Sequence, residues 1–64
     1  MALWPKQANA YIRAGWGYWR GFVFERATDN MPCTIDVEDR GYVFVILKNG
    51  TRVRVDKRGV QVLS

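Results

Sequence analysis

The 64-residue sequence has no histidine, one cysteine, and no apolar run long enough for a signal peptide or a membrane span. Without histidine, the side chain that most often serves as a general base near neutral pH is missing. Cys33 alone cannot form an internal disulfide, and one cysteine without histidine cannot build a zinc site. We therefore expect a protein that is not an enzyme, that uses no metal or cofactor, and that occupies the reducing cytoplasm with no membrane association.

The remaining candidates for chemistry have simpler structural interpretations. Asp36 and Glu38 are two residues apart on a predicted strand, so they point the same way and could act as an acid–base pair or hold a hard cation. Two carboxylates on one strand face are usually just solvated. Cys33 alternates with apolar residues, which favours a small core residue over a nucleophile. Neither reading predicts a catalytic residue.

Charge is unevenly distributed, with a formal net charge of +4. Five of the six acidic residues lie between positions 25 and 39, whereas residues 40–58 contain six basic residues and one acidic residue. This polarity could attract a polyanion to the C-terminal half. Alternatively, the basic side chains keep the outer faces of strands soluble and prevent edge pairing.

Turn residues recur every 8–12 positions, which is typical of a small barrel or sandwich. We expect an all-β fold, a five- to six-stranded SH3-like barrel spanning residues 10–64, preceded by an irregular or one-turn helical N-terminal arm at residues 1–9. The strands are predicted at residues 10–14, 18–26, 33–38, 42–48, 51–55 and 60–63, with a short turn or one turn of 3₁₀ helix at 56–59. The last strand should pair with the first, and Gly21 indicates a bulge, a bend or a close approach within the second.

The fold is organised around a β-hairpin that turns at Asn49-Gly50. A two-residue type I′ turn requires positive φ at both central residues, which asparagine and glycine tolerate best. This turn would set Ile46 opposite Val53 and Phe44 opposite Val55. All four of these side chains would then point into the core.

The same register places a second apolar group on the other face of the hairpin. Val43, Val45 and Leu47 would share that face with Arg52 and Arg54. Another segment could cover the three apolar residues, as in a small, strongly bent barrel. Otherwise the five residues form an apolar strip, rimmed by arginines, that contacts a partner protein or a second copy of the chain.

Two segments resemble SH3-like barrels of the Tudor and KOW kind. Residues 17–23, with the sequence Gly-Tyr-Trp-Arg-Gly-Phe-Val, are similar to the second-strand signature of these barrels, and residues 43–63 are similar to the hairpin, one-turn helix and closing strand that follow. In Tudor-like domains an aromatic cage binds methylated lysine or arginine. Trp19 matches one cage position, but Ile46 and Asn49 occupy the others and cannot form a cage.

Two binding hypotheses follow. In the preferred hypothesis, the chain is a protein-interaction module. Its contact surface is the strip of Val43, Val45, Leu47, Arg52 and Arg54. By analogy alone, such a small module could be an inhibitor or adaptor of a larger complex, encoded by a phage or another mobile element. In the alternative, which the KOW resemblance implies, it binds DNA or RNA. Arg52 and Arg54 would then contact the nucleic acid. The further residues that contact its phosphates and bases would be Arg13, Trp16, Trp19, Arg20, Lys57 and Arg58. No small-molecule substrate is evident.

Overall fold

The computed structural model describes residues 8–63. The fold is all-β, as predicted, and its only helix in this range is a single 3₁₀ turn. The strands are β1 (Ala10–Ile12), β2 (Gly17–Arg20), β3 (Val23–Arg26), β4 (Met31–Glu38), β5 (Tyr42–Leu47), β6 (Arg52–Asp56) and β7 (Val60–Val62), and the 3₁₀ turn is Lys57–Gly59. Residues 1–7 of the predicted N-terminal arm lie outside the described residues. No helix within residues 8–63 is long and apolar enough to cross a membrane.

All strands pair antiparallel in one open sheet, in the order β3-β2-β6-β5-β4-β1-β7. The molecule measures 27 × 26 × 25 Å, whereas a flat sheet would be about 10 Å thick, so the sheet curls and one face encloses the core. The core residues are Ala10, Ile12, Tyr18, Ala27, Cys33, Val43, Val45, Leu47, Val53 and Val55.

The single strand predicted for residues 18–26 is a hairpin, which raises the strand number to seven within the described chain. Arg20 pairs with Val23, leaving Gly21 and Phe22 as a two-residue turn. Gly21 has a φ of 62°, and the first central position of a type II′ turn requires such a value. The bend expected at Gly21 is therefore a complete reversal of the chain.

The predicted register of the β5–β6 hairpin is wrong by one residue. Val45, not Ile46, lies opposite Val53. The Gly50 N–H donates to the Leu47 carbonyl, and the Leu47 N–H donates to the Thr51 carbonyl, each over 2.8 Å. Only Gly50 of the turn has positive φ, at 88°, so the loop is a type I turn followed by a left-handed glycine, rather than a type I′ turn.

A shift of one residue exchanges the two faces of strand β5. The predicted inward orientation of Phe44 and Ile46 is therefore wrong, because both lie half-buried on the outer face; Val53 and Val55 are buried as expected. The prediction of an exposed strip at Val43, Val45 and Leu47 is also wrong, because all three are buried in the core. The alternative in which these three residues are covered agrees with the structure.

Strand β4 contains a bulge that the regular alternation of its sequence did not predict. Ile35 lies opposite Val45 and Val37 lies opposite Phe44, so Asp36 is an extra residue without an opposing partner. Cys33 remains buried, but Val37, predicted to face inward with it, is 46% exposed on the outer face.

The C-terminal part of the chain folds as predicted. The Asp56 carboxylate accepts a hydrogen bond of 2.8 Å from the Arg58 N–H and so caps the 3₁₀ turn. Strand β7 then pairs with β1, with Gln61 opposite Tyr11. The first and last strands therefore lie side by side.

Candidate functional site

Five side chains form a continuous line across the outer face of the sheet. The registers place Phe24 opposite Trp19, Trp19 opposite Arg54, Arg54 opposite Phe44, and Phe44 opposite Val37. Directly opposed residues share one face of a sheet, so the line runs over strands β3, β2, β6, β5 and β4. We call these five residues the aromatic–arginine row.

Three of the four apolar members of the row are unusually accessible. Phe24 is 50% exposed, Trp19 is 41% exposed, and Val37 is exposed to a similar degree. The rings of Trp19 and Phe24 contact each other, with centroids 5.0 Å apart and planes tilted by 59°. This geometry is a favourable aromatic pairing, so the two rings form a fixed apolar surface rather than two separate side chains.

Arg54 lies at the centre of the row, and its guanidinium group lies over the ring of Tyr42. The guanidinium carbon lies 5.0 Å from the centroid of Tyr42, a distance at which cation–π attraction operates. Tyr42 in turn packs edge-on against Phe44, with ring centroids 5.7 Å apart. Among residues 8–63, no carboxylate lies within ion-pair distance of Arg54.

The neighbouring arginine on β6 has a different environment. Arg52 lies over the ring of Phe44 at 4.2 Å and donates a hydrogen bond of 2.9 Å to the Asp36 carboxylate. The bulge at Asp36 therefore supplies a carboxylate that compensates Arg52. Within residues 8–63, no carboxylate compensates the charge of Arg54 in this way.

Hollows flank Trp19 and Arg54 on two sides. An open cavity of about 470 Å³ lies on one side, and another of about 310 Å³, which includes Phe44 and Arg52 in its lining, lies on the other. Trp19 and Arg54 line both. The larger cavity has Trp16, Trp19, Phe24 and Tyr42 as its aromatic lining, with Gly17, Gly41, Arg54, Val55 and Asp56.

Trp16 is a structural part of this lining. Its ring lies against Gly59, where a β-carbon would come within 2.9 Å of the indole. The indole is only half-exposed and packs against the core. Trp16 therefore forms a wall of the larger cavity, while Trp19 and Phe24 present free surface.

The carboxylate nearest this cavity is already engaged. Asp56 accepts hydrogen bonds from the guanidinium of Arg58, and this interaction holds the Asp56 pKa below its usual value. The pair remains ionised at neutral pH but contributes little net charge. The electrostatic character of the row consequently depends on Arg54.

The structure brings together only some of the side chains predicted to bind a partner. Trp16, Trp19, Arg52 and Arg54 lie along the row and its cavities, whereas Arg13 donates to Gln61 on the opposite part of the sheet, near the first and last strands. The other predicted nucleic-acid contacts are paired with carboxylates: Arg20 with Glu25 at 2.9 Å, Lys57 with Glu38 at 3.8 Å, and Arg58 with Asp56 at 3.1 Å.

The sequence interpretation missed Phe24, Tyr42, Phe44 and Val37 as surface residues. A signal for the first was available, because a two-residue turn at Gly21 and Phe22 would have placed Phe24 opposite Trp19. The others depend on the hairpin loop and the bulge. No local sequence pattern identified either of these features.

The residues considered for covalent or metal chemistry, Cys33, Asp36 and Glu38, are either buried in the core or paired with a basic side chain. Cys33 is fully buried, and this burial raises the pKa of its thiol to about 11. Asp36 binds Arg52, and Glu38 lies near Lys57, so each carboxylate has a basic neighbour of its own. Comparison of the chain with family models, curated proteins and solved structures gave no match.

Proposed function

We propose that this protein is a small non-catalytic module that binds a partner protein through the aromatic–arginine row. The observation that supports this function is the line of exposed apolar side chains around Arg54, a cation with no carboxylate beside it in the described chain. Tryptophan, tyrosine and arginine are the residues that most often dominate the energy of protein interfaces. Phenylalanine is enriched there as well.

We also propose that the curled sheet is an SH3-like barrel. The order of the hairpin, the single 3₁₀ turn and the closing strand β7 supports this assignment, as does the pairing of β7 with β1. Such a barrel would give the row a rigid curved support, on which preorganised aromatic side chains lose little entropy when a partner binds.

The charge pattern favours a protein over a nucleic acid as the partner. Binding to a phosphate backbone requires several cations that are free to replace counterions. On the C-terminal half of the described chain, Arg52, Lys57 and Arg58 each lie beside a carboxylate, whereas Arg40, Lys48 and Arg54 do not. Of these three, only Arg54 belongs to the row. One uncompensated arginine among apolar side chains is complementary to a partner protein whose surface is apolar and presents a single carboxylate.

The partner chemistry can be tested by selecting binders from a library of displayed random peptides. We expect the selected sequences to combine aromatic or aliphatic residues with an aspartate or glutamate, because these match the row and Arg54. Their affinity should fall by roughly tenfold or more with Arg54→Gln or Trp19→Ala, since each change removes a central contact. Arg13→Gln, at a distant exposed arginine, is the matched control and should leave the affinity unchanged.

Two outcomes would contradict this function. Peptides that bind the Arg54→Gln and Trp19→Ala variants as tightly as the unchanged protein would show that the row is not the binding site. The second is binding of single-stranded oligonucleotides that strengthens as salt is lowered and is lost with Arg54→Gln. That result would assign the row to a nucleic acid instead.

A further inference from the structure

Strand β3 is an edge of the sheet. The backbone N–H and C=O groups of its successive residues point alternately towards β2 and towards the open edge. The Ala27 N–H donates to the Trp16 carbonyl, and the Ala27 carbonyl accepts from the Gly15 N–H, so the backbone groups of Ala27 point towards β2. In an antiparallel pair, these groups alternate along the strand. Those of Val23 and Glu25 therefore also face β2, while those of Phe24 and Arg26 face the open edge.

Several of the common protections of an edge strand are missing from β3, although it is only four residues long and carries the charged residues Glu25 and Arg26. Its sequence, Val-Phe-Glu-Arg, has no proline or lysine, and its register with β2 contains no bulge. Apolar side chains are exposed on both of its faces, with Phe24 on the outer face and Val23 on the other. Phe22, at the tip of the hairpin, is 100% exposed.

We propose that β3 pairs antiparallel with β3 of a second copy of this chain, with Phe24 opposite Phe24 across a two-fold axis. Residues whose backbone groups face the edge must oppose residues of the same kind, which allows Phe24 to lie opposite either Phe24 or Arg26 of the second copy. The second arrangement would place Glu25 opposite Glu25, and like charges directly opposite each other are unfavourable. The first places Glu25 opposite Val23, so the charge pattern selects it.

This pairing closes on itself and forms a dimer. Pairing of β3 with the other sheet edge, β7, would be head-to-tail and could continue into a polymer, whereas the two-fold arrangement uses the same edge on both copies. It joins the two aromatic–arginine rows end to end at Phe24. It also places the exposed Phe22 nearest Arg26 of the second copy. Dimerisation does not depend on whether the row binds a partner.

The contact is small, so we expect a weak dimer with a dissociation constant on the order of 10–100 µM. The chain is short enough for chemical synthesis, and a methyl group on the Phe24 backbone nitrogen removes an edge-facing donor while leaving every side chain unchanged. In sedimentation equilibrium, the apparent mass of the unmodified protein should rise with concentration from 7.4 kDa towards twice that value. The methylated protein should keep its circular dichroism spectrum and remain at 7.4 kDa.

Methylation of the Val62 backbone nitrogen is the matched control, because the alternation on β7 places this group at the opposite edge. It should leave the dimer intact. An unmodified protein that stays monomeric, or a dimer that survives methylation at Phe24, would overturn the proposal. So would a dimer that is lost with methylation at Val62 instead.

Cysteine crosslinking tests the register. The Phe24→Cys chain, which retains Glu25, should form a disulfide with a second copy of itself in a glutathione buffer, because these positions are opposed at a Cα separation of about 5.5 Å. A mixture of the Phe24→Cys and Arg26→Cys chains should form little mixed disulfide. Rapid mixed crosslinking of these two chains, without crosslinking of the Phe24→Cys chain alone, would show that Phe24 lies opposite Arg26 and that the proposed register is wrong.

Discussion

The ring of Phe24 lies directly over Gly17, where a β-carbon would come within 2.0 Å of the Phe24 Cζ atom. Glycine within a strand is normally a weak point, because it has no side chain to pack. Here the absence of that side chain lets the Phe24 ring lie beside Trp19, at a centroid distance of 5.0 Å. The exposed aromatic end of the row therefore depends on a residue that contributes no atoms to its surface.

Gly17→Ala should displace the Phe24 ring and lower the free energy of unfolding by about 1 kcal/mol through the lost aromatic contact. In a Phe24→Ala background, the same change should raise it by about 0.5–1 kcal/mol, because alanine restricts the unfolded chain more than glycine. Urea denaturation of the four proteins in this double-mutant cycle measures both values.

Gly41→Ala is the control for the Gly17 cycle. Gly41 also lines the larger cavity, but a β-carbon at this position has no atom within 4 Å. Gly41→Ala should therefore raise the free energy of unfolding by the same ~0.4–1 kcal/mol in both backgrounds, because it restricts the unfolded chain without meeting the Phe24 ring. An equal effect of Gly17→Ala with and without Phe24 would mean that the ring does not occupy the space over Gly17.

The positions of most strands follow from local sequence, and so do the 3₁₀ turn and the pairing of β7 with β1. Register does not, and β5 shows why. All six residues from Tyr42 to Leu47 are apolar, so their alternation could not distinguish the core face from the outer face. The prediction then relied on the Asn49-Gly50 turn. That dipeptide also fits a three-residue loop with only glycine in the left-handed region.

The aromatic–arginine row depends on four strand pairings at once. An error of one residue in any pairing moves the next side chain to the opposite face. The bulge at Asp36 adds such a shift within an otherwise regular strand, and as a result Val37 joins Phe44 on the outer face. Residue types could identify Trp19 and Arg54 as candidates, but only the complete register places Phe24, Phe44 and Val37 in line with them.

A pair of isosteric substitutions tests this register. Val45→Thr should lower the free energy of unfolding by about 1–3 kcal/mol, because it places a hydroxyl group in the fully buried core. Val37→Thr should change it by less than about 0.5 kcal/mol, because Val37 is exposed beyond the bulge. Urea denaturation gives both values. A larger effect at Val37 than at Val45 would contradict the observed register.

The loop of the β5–β6 hairpin predicts opposite effects for the two mirror forms of alanine at position 50. Gly50 has a φ of 88°, so L-alanine should destabilise the protein by about 1–2 kcal/mol. D-alanine favours positive φ and should stabilise it by about 0.4–1 kcal/mol, because it restricts the unfolded chain. Both proteins are accessible by chemical synthesis, and thermal unfolding measures the difference. Equal melting temperatures would mean that Gly50 does not adopt the left-handed conformation.

The buried thiol of Cys33 predicts how stability depends on alkaline pH. Burial raises its pKa from about 9.0 to about 11 in the folded protein, whereas an unfolded chain has the ordinary value. Between these two pH values the unfolded state loses its proton first, so the free energy of unfolding falls as the pH rises. A difference of about two pKa units corresponds to a loss of about 3 kcal/mol, complete above pH ~11.

Other groups also titrate in this range, including Tyr18, whose pKa is raised by desolvation and by Glu25. Cys33→Ala is therefore the required reference, because it contains every other titrating group. Relative to this variant, the free energy of unfolding of the unchanged protein should fall by about 3 kcal/mol from pH ~8 to above pH ~11. A difference that stays constant over this range would mean that solvent reaches the thiol and that the core around strand β4 is open.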